Sequence, residues 1–181
     1  MDNGASSYRR FLAGDDSAFD EIMEEVFYSL VFFINRYVRD VHAAEDIAID
    51  VMSELIIHKK RYNFKVSLKT YLFMIGRSRA IDYLRHLKVT GVETLTEICE
   101  PTDDAALEEA VLRDEKCREV DAAVAKLPHD MRVAVHLIYF EDMTYKEAAK
   151  VMKKSAKQID NLLYRAKKEL RAILGEDGGK I

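Results

Sequence analysis

Two clusters of basic side chains are the part of this sequence whose residue types suggest a binding chemistry. In 57–88, nine Lys or Arg residues accompany a single acidic residue, Asp82. In 143–174, nine basic residues accompany three acidic ones, a net charge of +6 within a chain whose total is −4. Basic islands in an acidic chain indicate a polyanionic partner. A solvated helix face without a partner is the plainer alternative.

The first cluster also contains aromatic residues between its cations: Tyr62, Phe64, Tyr71, Phe73 and Tyr83. Cations that follow a phosphate backbone, together with aromatic faces on which bases stack, are typical of single-stranded nucleic acid binding. Taken singly, Tyr71 and Phe73 are better explained as core residues of a helix that Ser67 caps. The stretch 61–65, with the sequence RYNFK, has the pattern of a loop, which favours the binding interpretation for the cluster as a whole.

The second cluster has the pattern of a helix-turn-helix. Thr144 with Glu147, and Ser155 with Gln158, form two capping boxes, each of which begins a helix by satisfying free backbone N–H groups. The second helix has an apolar stripe at i, i+3 and i+4 spacing. Its opposite face is polar and basic, and carries Lys157, Asp160, Asn161, Tyr164, Arg165 and Lys168. This layout suits a recognition helix in a DNA major groove, although an ordinary helical hairpin fits the fold pattern equally well.

The elements that must position these clusters are helices. Long helical periodicities and few turn residues, 2 Pro and 7 Gly in 181 residues, predict an all-α fold. Apolar stripes predict one helix over 19–38, capped by Asp15 or Asp16, and another from about Ala43. The stretch 89–112 contains seven acidic residues and no basic one, which is the composition of a flexible linker.

The sequence therefore predicts two small helical domains joined by an acidic linker. The predicted segments are a loosely ordered lead-in over 1–14, a first domain over 15–88, the linker over 89–112, a helix-turn-helix domain over 113–174 and a tail over 175–181.

Enzymatic and metal-binding patterns are missing from the sequence. There is no glycine-rich phosphate loop, no nucleophile elbow and no His or Cys spacing suited to zinc. We therefore expect no catalysis and no cofactor. Cys99 and Cys117 are expected to be free thiols in a reducing cytosol. No apolar run is long enough to span a membrane and no signal-peptide core is present, so a soluble, cytoplasmic protein is expected.

Two blocks of the sequence resemble a known family. The motifs AEDI at 44–47 and YLFMIGRSRAIDYL at 71–84 are similar to conserved region 2 of bacterial sigma factors. The block 127–170, with YKEAA at 145–149 and LYRA at 163–166, is similar to region 4. Both blocks in this order, without a middle domain, resemble the compact extracytoplasmic-function (ECF) group.

The resemblance implies a promoter-specificity subunit that binds core RNA polymerase and promoter DNA, usually held inactive by an anti-sigma factor. The implied polymerase-docking residues are Glu45, Asp46, Ile49, Asp50 and Glu54. Strand capture at the −10 element falls to Arg61, Tyr62, Asn63, Phe64, Lys65, Lys69, Tyr71, Arg77, Ser78 and Arg79. The helix-turn-helix is expected to read the −35 element as duplex through Lys157, Asp160, Asn161, Tyr164, Arg165 and Lys168.

The sequence departs from the family pattern at four places. Ile49 stands where Gln is usual, Ser78 where Asn is usual and Lys153 where Gly is frequent. Asp160 stands where a basic residue is common, so it either accepts from a cytosine amino group or points away from the phosphates. The main alternative to a sigma factor is a helix-turn-helix regulator that binds duplex DNA without polymerase. A helical enzyme and a helical adaptor are the remaining classes.

Overall fold

The computed structural model describes residues 4–90 and 115–175, and for 115–119 only the backbone. Throughout these ranges the regular structure is helical, so the predicted all-α fold is confirmed. The elements are α1 (Ala5–Leu12), α2 (Ser17–Val38), α3 (Val41–Ile57), α4 (Leu68–Thr90), α5 (Glu115–Ala125), α6 (His129–Val135), a π-helical segment (His136–Phe140), α7 (Tyr145–Met152) and α8 (Ala156–Leu174). The predicted linker beyond Thr90, Cys99 and the tail beyond Gly175 lie outside the described residues, as does the side chain of Cys117.

Helices α2, α3 and α4 form the core of the first domain. The predicted stripe on α2 is buried, with Ile22, Leu30 and Ile34 fully inaccessible. Gly76 on α4 allows close approach to α2, since a Cβ atom there would lie 2.9 Å from Leu30 Cδ1. Helix α3 begins slightly earlier than predicted because Asp40 caps it, accepting a hydrogen bond from the Ala43 N–H at 3.1 Å.

Residues 5–12 correct the prediction of a loosely ordered lead-in, because they form helix α1. Tyr8 on this helix is fully buried, and its hydroxyl donates to the carbonyls of Leu55 at 3.1 Å and Lys59 at 3.0 Å. Burial, together with Tyr71 and Tyr62, raises the pKa of Tyr8 to about 12. The side-chain hydroxyl thus stays neutral. It donates hydrogen bonds to carbonyls at the C-terminal end of α3, where the backbone carbonyls have no intrahelical N–H partner.

Substitution Tyr8→Phe is expected to lower the free energy of unfolding of the chain by about 1–2 kcal/mol. The ring would still fill its site, but the carbonyls of Leu55 and Lys59 would lose a donor. Urea unfolding followed by circular dichroism measures the change. Tyr28→Phe is the matched control because the Tyr28 side chain is 73% exposed. Equal stability of the two variants would contradict a structural role for the Tyr8 hydroxyl.

The second domain contains the helix-turn-helix. Both predicted capping boxes are present: Thr144 with Glu147 begins α7, and Ser155 with Gln158 begins α8. Lys153 forms the turn in the left-handed region, with φ of 53°. Within 4–90 and 115–175, no helix is both long and apolar enough to cross a membrane.

Candidate nucleic-acid interface

Helix α8 separates a buried face from a polar one. Ile159, Leu163, Ala166 and Leu170 are buried against the rest of the domain. All six residues predicted to face duplex DNA are exposed, and Tyr164 is 73% exposed. The first turn of α8 is fixed by reciprocal hydrogen bonds, from the Ser155 N–H to Gln158 Oε1 at 2.7 Å and from the Gln158 N–H to Ser155 Oγ at 3.2 Å. The capping box therefore holds a rigid, accessible helix face, while its contact with DNA remains a prediction.

Two cations beside this face, Lys167 and Arg171, are absent from the predicted set of duplex-contacting residues. A shallow groove is lined by Tyr164, Lys167, Lys168 and Arg171. The Lys167 ammonium lies 5.6 Å from the ring centroid of Tyr139, and a hydrogen bond to the Tyr139 hydroxyl raises the Lys167 pKa. Lys167 and Arg171 belong to the second basic cluster. Their positions, three and seven residues after Tyr164, place them on the same side of α8, so helical spacing in the sequence indicates that they extend the basic surface around Tyr164.

The loop after α3 differs from the exposed aromatic surface that was expected. Tyr62 is only 3% exposed, and its hydroxyl donates to the Val66 carbonyl at 2.6 Å. Its ring centroid lies 5.6 Å from that of Tyr8 and 4.5 Å from that of the half-buried Phe64. The reason is α1, whose Tyr8 supplies the surface on which both rings pack. In this arrangement Tyr62 offers no face for base stacking.

The polar residues of the same predicted set have varied surroundings. Arg61, Asn63, Lys65, Ser78 and Arg79 are exposed, whereas Tyr71 and Arg77 are half-buried. Arg61 and Arg79 both form ion pairs with Glu54, the second at 2.9 Å. Phe73, for which a core position was the preferred interpretation, is fully buried.

The predicted polymerase-docking residues are mostly brought together on one side of α3. Glu45, Asp46, Ile49 and Asp50 are exposed, and Ile49 is 51% exposed. Glu54 differs, because its carboxylate is largely covered and held by Arg61 and Arg79. The accessible part of the face is therefore an apolar residue surrounded by three carboxylates.

A buried ion pair joins the two domains. Lys69 Nζ, from the predicted strand-capture set, lies 2.7 Å from Glu141 Oε2, and His136 Nε2 lies 3.1 Å from Glu141 Oε1. Burial favours the neutral form of Glu141, but His136 and Lys69 outweigh it and lower the Glu141 pKa to about 2. Burial lowers the pKa of His136. His136 is thus mainly neutral at pH 7, and Lys69 is the charge that compensates Glu141.

Glu147 makes a second connection between the domains. Its Oε2 accepts the capping-box hydrogen bond from the Thr144 N–H at 2.9 Å. Its Oε1 lies 3.3 Å from the hydroxyls of Ser67 and Thr70, at the start of α4. Helix α7 therefore covers the N-terminal end of α4, and the helix-turn-helix domain lies against Lys69 and its neighbours.

Across the described ranges, no group of three or more His, Cys, Asp or Glu side chains is arranged to hold a metal ion.

Comparison with known protein families identifies both blocks of the sequence. Residues 29–89 match the model for sigma-70 region 2, and residues 117–170 match the model for sigma-70 region 4. The first match spans the end of α2 through α4, and the second spans α5 through most of α8. The exposed face of α8 and the accessible face of α3 therefore lie in different sigma-factor regions.

Curated relatives match over most of their length. The ECF RNA polymerase sigma factor SigM of Bacillus subtilis is 27% identical over 154 residues, which covers 85% of this chain and 93% of SigM. SigW of the same organism is 25% identical over 173 residues, covering 89% of this chain and 91% of SigW. RNA polymerase sigma-H factor of Pseudomonas aeruginosa is 26% identical over 174 residues.

Solved structures share the fold. RpoE in complex with the anti-sigma factor NepR from Bartonella quintana has a TM-score of 0.63 at 20% identity, covering 86% of this chain and 96% of RpoE. CnrH in complex with the cytosolic domain of CnrY has a TM-score of 0.64 at 17% identity, covering 99% of this chain and all of CnrH. With both sigma-70 regions matched in order and ECF factors as its relatives, the chain belongs to the sigma-70 family of RNA polymerase sigma factors, in the ECF group.

Proposed function

We propose that this sigma factor binds core RNA polymerase and directs it to one promoter class, reading the −35 element with α8 and opening the −10 element with the first domain. The observation that carries the proposal is the rigid, basic face of α8, on a domain that matches sigma-70 region 4. A helix of this kind fits the major groove, where each base pair presents a distinct pattern of donors and acceptors.

Polymerase docking is assigned to the exposed face of α3. Ile49 supplies an apolar centre, and Glu45, Asp46 and Asp50 supply a negative rim. This arrangement suits a basic helical surface with an apolar stripe, because charges steer the encounter and apolar burial stabilises the complex. Glu54 has a different role, holding Arg61 and Arg79 in place beside α4.

Strand capture is assigned to the polar residues around α4, with the aromatic cluster as their support. Tyr62 and Phe64 fix the loop, while Asn63 and Lys65 are exposed and Arg61 is exposed but paired with Glu54. Lys69 is held by Glu141 of the second domain. Promoter opening by Lys69, Tyr71 and Arg77 therefore requires the helix-turn-helix domain to move away from α4.

The remaining partner is an inhibitor. RpoE and CnrH, which share this fold, were each solved with a protein partner: the anti-sigma factor NepR for RpoE, and the cytosolic domain of CnrY for CnrH. We propose that this chain also has an anti-sigma partner and acts in the cytoplasm, where core polymerase is found. The proposed action is binding and strand opening without covalent chemistry.

The first test is capture of purified core RNA polymerase by the full-length chain. Wild type is expected to bind stoichiometrically and saturably, and Asp50→Lys is expected to weaken binding because it reverses a charge in the docking face. Asp82→Lys is the matched control, an exposed acid on α4 outside that face. Failure of wild type to bind polymerase, with duplex DNA binding intact, would instead favour the stand-alone regulator.

A further inference from the structure

Helix α1 packs against the loop that connects α3 to α4. The guanidinium carbon of Arg9 lies 4.9 Å from the ring centroid of Phe64, and the ring centroid of Tyr8 lies 6.2 Å from the same ring. Helix α1 precedes the stretch that matches sigma-70 region 2, which begins at residue 29. An element outside the family match therefore contacts a residue of the predicted strand-capture set.

The loop holds the Phe64 ring in a defined position. Phe64 has a φ of 60°, in the left-handed region that aromatic residues rarely adopt. The Lys65 N–H donates to Asn63 Oδ1 at 3.1 Å, and the Tyr62 hydroxyl closes the loop by donating to the Val66 carbonyl at 2.6 Å. A strained backbone persists only where its surroundings determine it, and such positions cluster at binding sites. The ring beneath the guanidinium group is therefore preorganised.

Arg9 differs from the next residue, Arg10, in its ionic partners. Arg10 is neutralised by Asp15 at 2.6 Å and by Glu21 at 2.9 Å. The Arg9 side chain is exposed, and it forms no ion pair with a carboxylate in 4–90 or 115–175. A cation above an aromatic ring at an accessible site is held only weakly. The charge of Arg9 is thus restrained in position but remains available to an anion.

Helix α1 also holds a second cation at the end of α3. The Lys59 ammonium lies 4.3 Å from the ring centroid of Phe11. Lys60 and Lys65, which flank the loop in sequence, are exposed like Lys59. Cations beside a loop that is built on aromatic rings match what a single nucleic acid strand requires along its backbone.

We propose that Arg9 binds a backbone phosphate of the promoter strand captured by the loop 61–65, so that α1 is part of the strand-capture surface. This inference rests on the proposed function. The planar guanidinium group suits phosphate oxygens, and its contact with Phe64 keeps it beside the polar side chains of Asn63 and Lys65. Arg9 fixes the backbone of the strand while the loop contacts its bases. The alternative role for Arg9 is only to cover the Phe64 ring.

The test uses core RNA polymerase assembled with the full-length chain. The DNA is a promoter selected from a random library by the wild-type holoenzyme, with a mismatched bubble over the −10 element. Arg9→Met, whose side chain still covers Phe64, is expected to weaken binding about two- to fivefold. It is also expected to reduce the slope of log affinity against log salt by about 0.7, the contribution of one phosphate on a single strand. Binding to a duplex that contains only the −35 element is expected to stay unchanged.

Two further variants separate charge from packing. Arg9→Lys keeps the charge and is expected to restore the salt slope. Arg10→Met is the matched control, because it removes the same charge from the same helix at a side chain already paired with Asp15 and Glu21. Its salt slope is expected to equal that of wild type.

The possible failures are distinguishable. A wild-type salt slope for Arg9→Met on the bubble DNA would mean that Arg9 only covers Phe64, and it would overturn this inference while leaving the proposed function intact. If the wild-type holoenzyme bound the bubble no more tightly than the −35 duplex, strand capture by the first domain would be wrong, and the role of Arg9 with it.

Discussion

Substitution Asn161→Ala is expected to weaken binding to the preferred −35 duplex by about 1–3 kcal/mol, roughly 5- to 150-fold, and to relax preference at one base pair. Asn161 is exposed on the N-terminal half of α8, the part of a recognition helix that reaches base edges. An asparagine amide can donate to and accept from one adenine, so its loss affects one position of the site. The measurement is binding to a duplex selected from a random library by the wild-type protein, and to its single-base variants.

Lys168→Ala is the contrasting variant for this prediction. Lys168 lies about two turns further along α8, beside Tyr164 and Arg171, where a cation meets phosphates more readily than bases. Its loss is expected to weaken all duplexes about equally and to reduce the slope of log affinity against log salt by about 1. If Asn161→Ala also weakened every duplex equally, its assignment to base reading would be wrong.

The second large effect concerns stability. Phe33→Ala is expected to lower the free energy of unfolding by about 3–5 kcal/mol, because a fully buried ring leaves a cavity that the core does not fill. The Phe33 ring centroid lies 4.8 Å from that of Phe73 and 5.4 Å from that of Tyr37. It also lies 6.4 Å from the His136 ring of the second domain. One side chain thus supports both the first domain and the contact between domains.

The neighbouring residue provides a control on the same helix. Phe32 is 49% exposed, so Phe32→Ala is expected to change the free energy of unfolding by no more than about 0.5 kcal/mol. Thermal and urea unfolding of both variants, followed by circular dichroism, gives the comparison. Similar losses for Phe32→Ala and Phe33→Ala would mean that Phe33 is not a principal core residue.

Local patterns predicted the helix-turn-helix well. The Thr144 and Ser155 capping boxes are determined by residues three apart, and the stripe on α8 repeats over several turns. Signals of this kind need no knowledge of the rest of the fold. Helix α1 lacked such signals, because it has only eight residues, no side-chain cap and two buried aromatics, Tyr8 and Phe11. Without α1, the burial of Tyr62 against Tyr8 could not be predicted.

Contacts distant in sequence could not be predicted from composition. Lys69 and Glu141 are 72 residues apart in the sequence. Their charges alone are equally compatible with two separate, solvent-exposed side chains. The same limit holds for Tyr37 on α2 and His129 on α6, whose ring centroids lie 4.7 Å apart. The charge pattern shows where basic residues cluster along the chain, but only tertiary packing shows which cations are exposed and which are enclosed.

Glu147 couples two equilibria of the molecule: the ordering of the first turn of α7 and the closure of the two domains on each other. One carboxylate both caps α7 and lies against the Ser67 and Thr70 hydroxyls of the other domain. Separation of the domains removes the two hydroxyls from this carboxylate and thereby changes the stability of the first turn of α7. By linkage, anything that orders that turn must favour closure to the same extent. Under the proposed function, duplex DNA bound to the helix-turn-helix is expected to be coupled through Glu147 to the proposed strand-opening surface at the start of α4.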